Sequence, residues 1–220
     1  MRKEGHEVIE PKMPYYLRSW EAWMPSRIWS NWLGRSLSHG IQRARVAERS
    51  FRPDLIVGDS MGGAVALAMQ SSTPMVLLAP AVRVMVRGPI RFWLSDPKLR
   101  RILGVFPRVI AGSFPGGTCE FGRITHLPAV SLILHSPVDD WVPFDSSLEL
   151  LRRHPVAGDE SVARLVARIE EWARPRGGDP RAGAGRLIAT GSGHLLDDFR
   201  SKQLLVDGVS HFAQLLQLDR

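Results

Sequence analysis

The 220-residue chain is long enough to bury one sizeable hydrophobic core, and nothing in its composition requires more than a single domain over residues 1–220. The start of the chain shows no apolar signal-peptide segment, and the single cysteine, Cys119, excludes an internal disulfide framework, so we expect a cytoplasmic protein. The net charge of +7 rests on 29 basic residues, mostly arginine, but no paired Cys/His spacing or RNP-like motif favours nucleic-acid binding.

Short apolar segments alternate with segments of helical periodicity along the chain. Strand patterns occupy residues 6–11, 54–58, 74–80, 131–137 and 186–191. Helical patterns occupy residues 36–50, 62–70, 159–173 and 199–217. This order predicts an α/β fold in which helices cover both faces of a mostly parallel sheet. The tryptophan-rich residues 15–32 are interpreted as core or lid packing, and residues 174–185 as a Gly/Pro loop.

The clearest local motif is Gly58-Asp59-Ser60-Met61-Gly62, which matches the pattern G-x-S-x-G. An apolar strand runs into the motif and a helix of small residues follows it. A serine at such a turn is held in a strained backbone conformation that exposes its hydroxyl, and the glycines remove Cβ atoms that would collide. The motif therefore predicts Ser60 as a nucleophile, with the helix N-terminus behind it favouring developing negative charge.

A serine nucleophile needs a base, usually a histidine that a carboxylate orients. Asp139 and Asp140 follow the strand at 131–137, and His194 lies in a glycine-rich loop after the last predicted strand. The order serine, acid, histidine differs from the two well-known serine-protease orders. Further carboxylates remain weaker alternatives for the acid: Asp145, Asp197 and Asp198. We interpret His135 as a residue that ends its strand and binds backbone groups rather than a metal ion.

Three segments, VGDSMGGAVAL, LILHSPVDDWVPFDSS and GSGHLLDD, resemble the elbow, acid loop and histidine loop of small bacterial α/β-hydrolases. That resemblance implies an α/β-hydrolase fold and an esterase- or thioesterase-like activity. In the family pattern the acid lies four residues after the histidine that ends its strand, which implies Asp139 rather than Asp140. The resemblance also implies that the Met61 N–H contributes to an oxyanion hole.

The chain departs from the family at its start, where relatives carry further strands and a loop that supplies a second oxyanion amide. No such segment precedes residues 5–14 (GHEVIEPKMP), so the fold is expected to be N-terminally truncated. Three explanations stay open: a start site placed too late, which we favour; a shift of the 6–11 strand into the vacant place; or an inactive relative.

Residues 81–110 combine seven basic residues with apolar ones and a single acid, Asp96. We interpret residues 81–128 as a lid-like insertion, as the resemblance implies. A solvated charged face and a peripheral membrane contact through 81–110 are the alternatives.

Together these patterns predict a serine hydrolase that cleaves a carboxylic ester or thioester through an acyl-enzyme on Ser60, with Asp139 and His194 completing a triad. No cofactor and no metal-binding residue is expected. The alternatives are a non-catalytic α/β-hydrolase-like binding protein that has lost its oxyanion strand, and a basic surface-binding protein.

Overall fold

A computed structural model describes residues 7–11, 26–85, 118–120, 126–139, 142–156, 158, 160–178, 186–191 and 199–218. In this part of the chain the α-helices are α1 (Ser26–Phe51), α2 (Met61–Ala68), α3 (Phe144–Arg153), α4 (Glu160–Ala173) and α5 (Phe199–Leu218). The strands are β1 (Ile56–Asp59), β2 (Met75–Leu78), β3 (Arg83–Met85), β4 (Thr118–Glu120), β5 (Ser131–His135) and β6 (Leu187–Ala189). A 3₁₀ helix, Arg174–Arg176, directly follows α4.

Four of the strands form a parallel sheet in the order β1-β2-β5-β6. The central strands β2 and β5 are buried at every position, as suits strands covered on both faces, whereas the edge strand β1 exposes Val57 and Asp59. The pairing continues past the strand ends, because the Ser60 N–H donates to the Leu78 carbonyl at 2.8 Å and the Thr190 N–H donates to the His135 carbonyl at 3.0 Å. This sheet confirms the predicted α/β class.

Alternate residues of the sheet point to opposite faces, and helices cover both. On one face Leu77, Ile133 and Leu187 are fully buried among apolar side chains of α2 and α3. On the other face Leu132 and Ile188 pack against residues of α4 and α5. Burying a side chain of this size stabilises the fold by about 1.5–3 kcal/mol. The two apolar layers therefore hold the sheet rigidly at the centre of the described structure.

Helix α1 lies outside α2 and is longer than the sequence pattern predicts. Ala44 is buried against Val65 and Met69 of α2, with Ile41 beside it. The α1 side chain Arg45 donates to the Met69 carbonyl at 3.3 Å, and so satisfies a carbonyl left unpaired at the end of α2. Helix α2 is thus fixed between the sheet and α1.

The strand predicted for residues 6–11 is wrong for its described part, residues 7–11. These residues contain no strand, and Val8 and Ile9 are 37% and 50% exposed. Two apolar residues between glutamates bury too little surface to hold a strand, and Pro11 lacks an N–H for pairing. Among the described strands β1 pairs with β2 alone, so this segment does not fill the place beside it.

Strands β3 and β4 pair antiparallel, with Val84 opposite Cys119, and so bring together two points of the segment 81–128. The lid interpretation falls mainly on residues 86–117, which lie outside the described residues. So do Trp20 and Trp23, while Trp29 and Trp32 lie in α1 with side chains that are not described.

In the described part of the chain, no helix has the length and apolar character needed to cross a membrane.

Candidate functional site

Ser60 occupies the turn between β1 and α2 with φ 49° and ψ −114°. A positive φ is unfavourable for any residue with a Cβ, so the surrounding contacts must hold this conformation. The Ser60 carbonyl accepts hydrogen bonds from Ala64 N–H at 3.2 Å and from Ala81 N–H at 2.9 Å. These hydrogen bonds connect the turn both to α2 and to the segment after β2, and they fix the orientation of the Ser60 backbone.

The glycines of the motif have different roles. A Cβ on Gly58 would lie 2.8 Å from the Cα of Gly63, whereas a Cβ on Gly62 would meet nothing within 4 Å. Gly63 is also confined, because its Cβ would lie 3.0 Å from the Cα of Pro80. The expected collision is therefore confirmed for Gly58 and wrong for Gly62, and Gly63 is the second glycine that the close packing requires.

Helix α2 begins at Met61, directly after the candidate nucleophile. The first N–H groups of an α-helix have no partner within the helix and carry the positive end of its dipole. The Met61 N–H is one of these groups, which is the position expected of an oxyanion donor.

Ala79 marks a second strained position at the same edge of the sheet, one that sequence reasoning did not identify. It follows β2 with φ 38° and donates its N–H to the Leu134 carbonyl at 2.8 Å. Positive φ costs an alanine about 1–2 kcal/mol, and strain of this kind clusters at functional sites. No sequence signal could have found it, since alanine has no preference for this conformation.

Asp139 lies four residues after the end of β5 with a side chain that is wholly inaccessible to solvent. Its Oδ1 accepts the Val142 N–H at 2.8 Å, and its own N–H donates to the Ser136 carbonyl at 3.2 Å. A turn over residues 136–139 therefore fixes the carboxylate at the carboxyl end of β5. Asp140, the alternative candidate for the acid of the triad, lies outside the described residues.

His135 is buried beneath the loop that carries Asp139, residues 136–142, and contacts that loop through its imidazole ring. Its Nδ1 lies 2.7 Å from the Ser147 hydroxyl, and its Nε2 lies 3.1 Å from the Val142 carbonyl and 3.4 Å from Asp139 Oδ2. Because two acceptors face Nε2, the hydrogen belongs on Nε2 and the Ser147 hydroxyl donates to Nδ1. His135 thus binds a backbone carbonyl as predicted, and it also contacts the candidate acid.

Parallel strands bring the candidate residues to one edge of the sheet. Ser60 follows β1 and Asp139 follows β5, with only β2 between these strands, so their backbones leave the sheet two strand spacings, about 10 Å, apart. The chain also leaves β6 at this edge, toward His194, which lies outside the described residues. In open α/β sheets such an edge is where ligands bind.

Metal-ligating side chains were also compared across the described part of the chain. Within the described ranges, no three His, Cys, Asp or Glu side chains are grouped as a metal site requires. Comparison with protein-family models, curated proteins and solved structures found no match.

Proposed function

We propose that the protein is a serine hydrolase of the α/β-hydrolase type that cleaves a carboxylic ester or thioester. The observation that carries this proposal is the strained backbone of Ser60, held between the edge strand β1 and the N-terminus of α2. A structural serine needs no such conformation, whereas a nucleophile gains from a hydroxyl fixed in the direction of attack.

In the proposed reaction, His194 takes the proton of Ser60 as the Ser60 oxygen attacks the acyl carbon. The tetrahedral intermediate then collapses to an acyl-enzyme, and His194 protonates the departing alcohol or thiol. Water then gives a proton to His194 as its oxygen attacks the acyl carbon. The second tetrahedral intermediate breaks its bond to the Ser60 oxygen, His194 returns the proton to that oxygen, and the carboxylic acid leaves. Asp139 orients the imidazole and stabilises its charged form.

Negative charge on the intermediate requires donors that are fixed before the reaction. The Met61 N–H at the start of α2 is the proposed first donor, favoured by the dipole of that helix. Residues 81–128 are proposed as a lid over the site, since β3 and β4 draw the two ends of this segment together. This proposal places the basic and apolar residues of the segment over the substrate.

Hydrolysis of short-chain p-nitrophenyl esters and acyl thioesters tests the proposal. Ser60→Ala should lower kcat by about 10⁴-fold or more, while Ser161→Ala, an exposed serine of α4, should leave it unchanged. Asp139→Asn should lower kcat by about 10³–10⁴-fold, and Asp140→Asn should have little effect. If folded wild type cleaves none of these compounds faster than Ser60→Ala, the non-catalytic alternative replaces the enzyme.

A further inference from the structure

A cleft of about 310 Å³ lies at the end of β6, on the face of the sheet that α4 and α5 cover. Its floor is formed by residues 189–191, and its walls by residues 175–177 after α4 and by Arg200 and Leu204 of α5. A volume of this size is at the lower end of the range for small-molecule sites. The cleft can therefore take a small molecule.

The charged residues among the described lining of the cleft all have the same sign. Two lining residues, Arg176 and Arg200, carry positive charge, and none of the described lining residues is acidic. The Arg176 guanidinium lies 4.5 Å from the centre of the Trp172 ring and donates to the Trp172 carbonyl at 2.8 Å. These contacts orient the guanidinium in advance, which reduces the entropy lost when it binds an anion.

The 175–177 wall is held against the sheet by backbone contacts. The Gly177 carbonyl accepts the Ala189 N–H at 3.0 Å, and Gly178 N–H donates to the Ala173 carbonyl at 3.1 Å. Gly177 has φ 95°, a conformation that glycine adopts without strain. The wall that carries Arg176 is therefore fixed relative to the floor of the cleft.

Thr190 supplies an independent reason to expect a ligand. The residue is 5% exposed, and its hydroxyl has no hydrogen-bond partner among the residues that the structure describes. Ala189 packs with the layer of α2 and α3, so the alternation of side chains along a strand directs Thr190 to the opposite face, where the cleft lies. Buried hydroxyl groups without a partner are rare in folded proteins and need an explanation.

We propose that this cleft binds the phosphate group of a small phosphomonoester, through the guanidinium groups of Arg176 and Arg200 and the hydroxyl of Thr190. Guanidinium groups form paired hydrogen bonds with phosphate oxygens, and the tetrahedral group has oxygens left for the hydroxyl. A carboxylate has only two oxygens and one charge, so it fits this set of donors less well. The site does not depend on the chemistry proposed for Ser60.

Titration calorimetry with inorganic phosphate, on the full chain at constant ionic strength of about 0.15 M, tests the proposal. Wild type and Ser60→Ala should both bind one phosphate, and acetate should bind at least tenfold more weakly. Arg200→Gln should weaken phosphate binding by about 10–100-fold, as expected for loss of a charge-assisted hydrogen bond.

Two neighbouring charges serve as matched controls, because Arg174 and Lys202 are exposed and do not line the cleft. Arg174→Gln and Lys202→Gln should leave the Kd within twofold of wild type. Thr190→Val should weaken phosphate binding yet raise the Tm of the ligand-free protein, because it removes an unpaired buried hydroxyl. A hydroxyl with a purely structural role would not produce this opposite pair of changes.

Three results would overturn the site. They are the absence of saturable phosphate binding to folded wild type, equal weakening by Arg200→Gln and by either control, and acetate binding as tight as phosphate binding. Arg176→Gln is not used alone, because Arg176 also contacts Trp172 and its loss can loosen the fold.

Discussion

Gly58 and Gly62 stand on either side of Ser60, and alanine should have opposite effects at the two positions. A Cβ on Gly58 would lie 2.8 Å from Gly63 Cα and 3.0 Å from Gly63 N, and both are backbone atoms that cannot rotate away. Forcing an extra methyl group into a packed site costs about 1–3 kcal/mol. At Gly62, with nothing within 4 Å, alanine should stabilise α2 by about 0.5–1 kcal/mol.

Urea unfolding of the two variants measures this difference. The free energies of unfolding should differ by about 1.5–4 kcal/mol, and for a chain of this size each kcal/mol corresponds to about 2–4 °C in Tm. Gly58→Ala should also lose ester hydrolysis, because α2 must shift away from Ser60, and Gly62→Ala should keep it. Equal destabilisation by both substitutions would refute the reasoning that Gly58 is confined and Gly62 is not.

Ser60→Gly should be about 1 kcal/mol more stable than Ser60→Ala in urea unfolding, because only glycine adopts φ 49° without strain; equal stabilities would contradict that strain. His135→Phe should lose about 3 kcal/mol because it leaves buried partners unpaired, whereas the exposed control His39→Phe should lose little in the same assay. Burial and the charges of Arg176 and Arg168 hold the pKa of His211 below its ordinary value, so the folded state resists protonation and stability should fall as the pH drops below about 6.5. His211→Phe should make Tm less dependent on pH in that range, and an unchanged profile would exclude His211 as a cause.

Strands and helices with a strong local pattern were predictable from the sequence. Strand β5 is centred on the apolar run 132–134, and α4 carries a stripe of Leu165, Val166 and Ile169 that the structure buries. In both elements the local pattern and the tertiary contacts favour the same structure, so the prediction lies close to the observed bounds.

Features that depend on distant contacts were not predictable. Gly63 is confined by Pro80 of the segment after β2, and the partner that fixes His135 Nδ1 is Ser147 on the next helix. The burial of Arg186 was likewise not predictable from the sequence, because arginine is usually exposed. Here Arg186 is fully buried and donates to the Ala129 carbonyl at 2.8 Å. The strand predicted for residues 6–11 is wrong for a different reason, since the two adjacent apolar residues Val8 and Ile9 carry too little apolar surface to decide the structure.

Covalent labelling with a fluorophosphonate probe, read by intact mass and peptide mapping, tests the activation of Ser60 most directly. Folded wild type should gain one probe mass on the peptide that contains Ser60, and Ser60→Ala should gain none. Absence of labelling in folded wild type, or equal labelling of Ser60→Ala, would contradict the claim that Ser60 is an activated nucleophile.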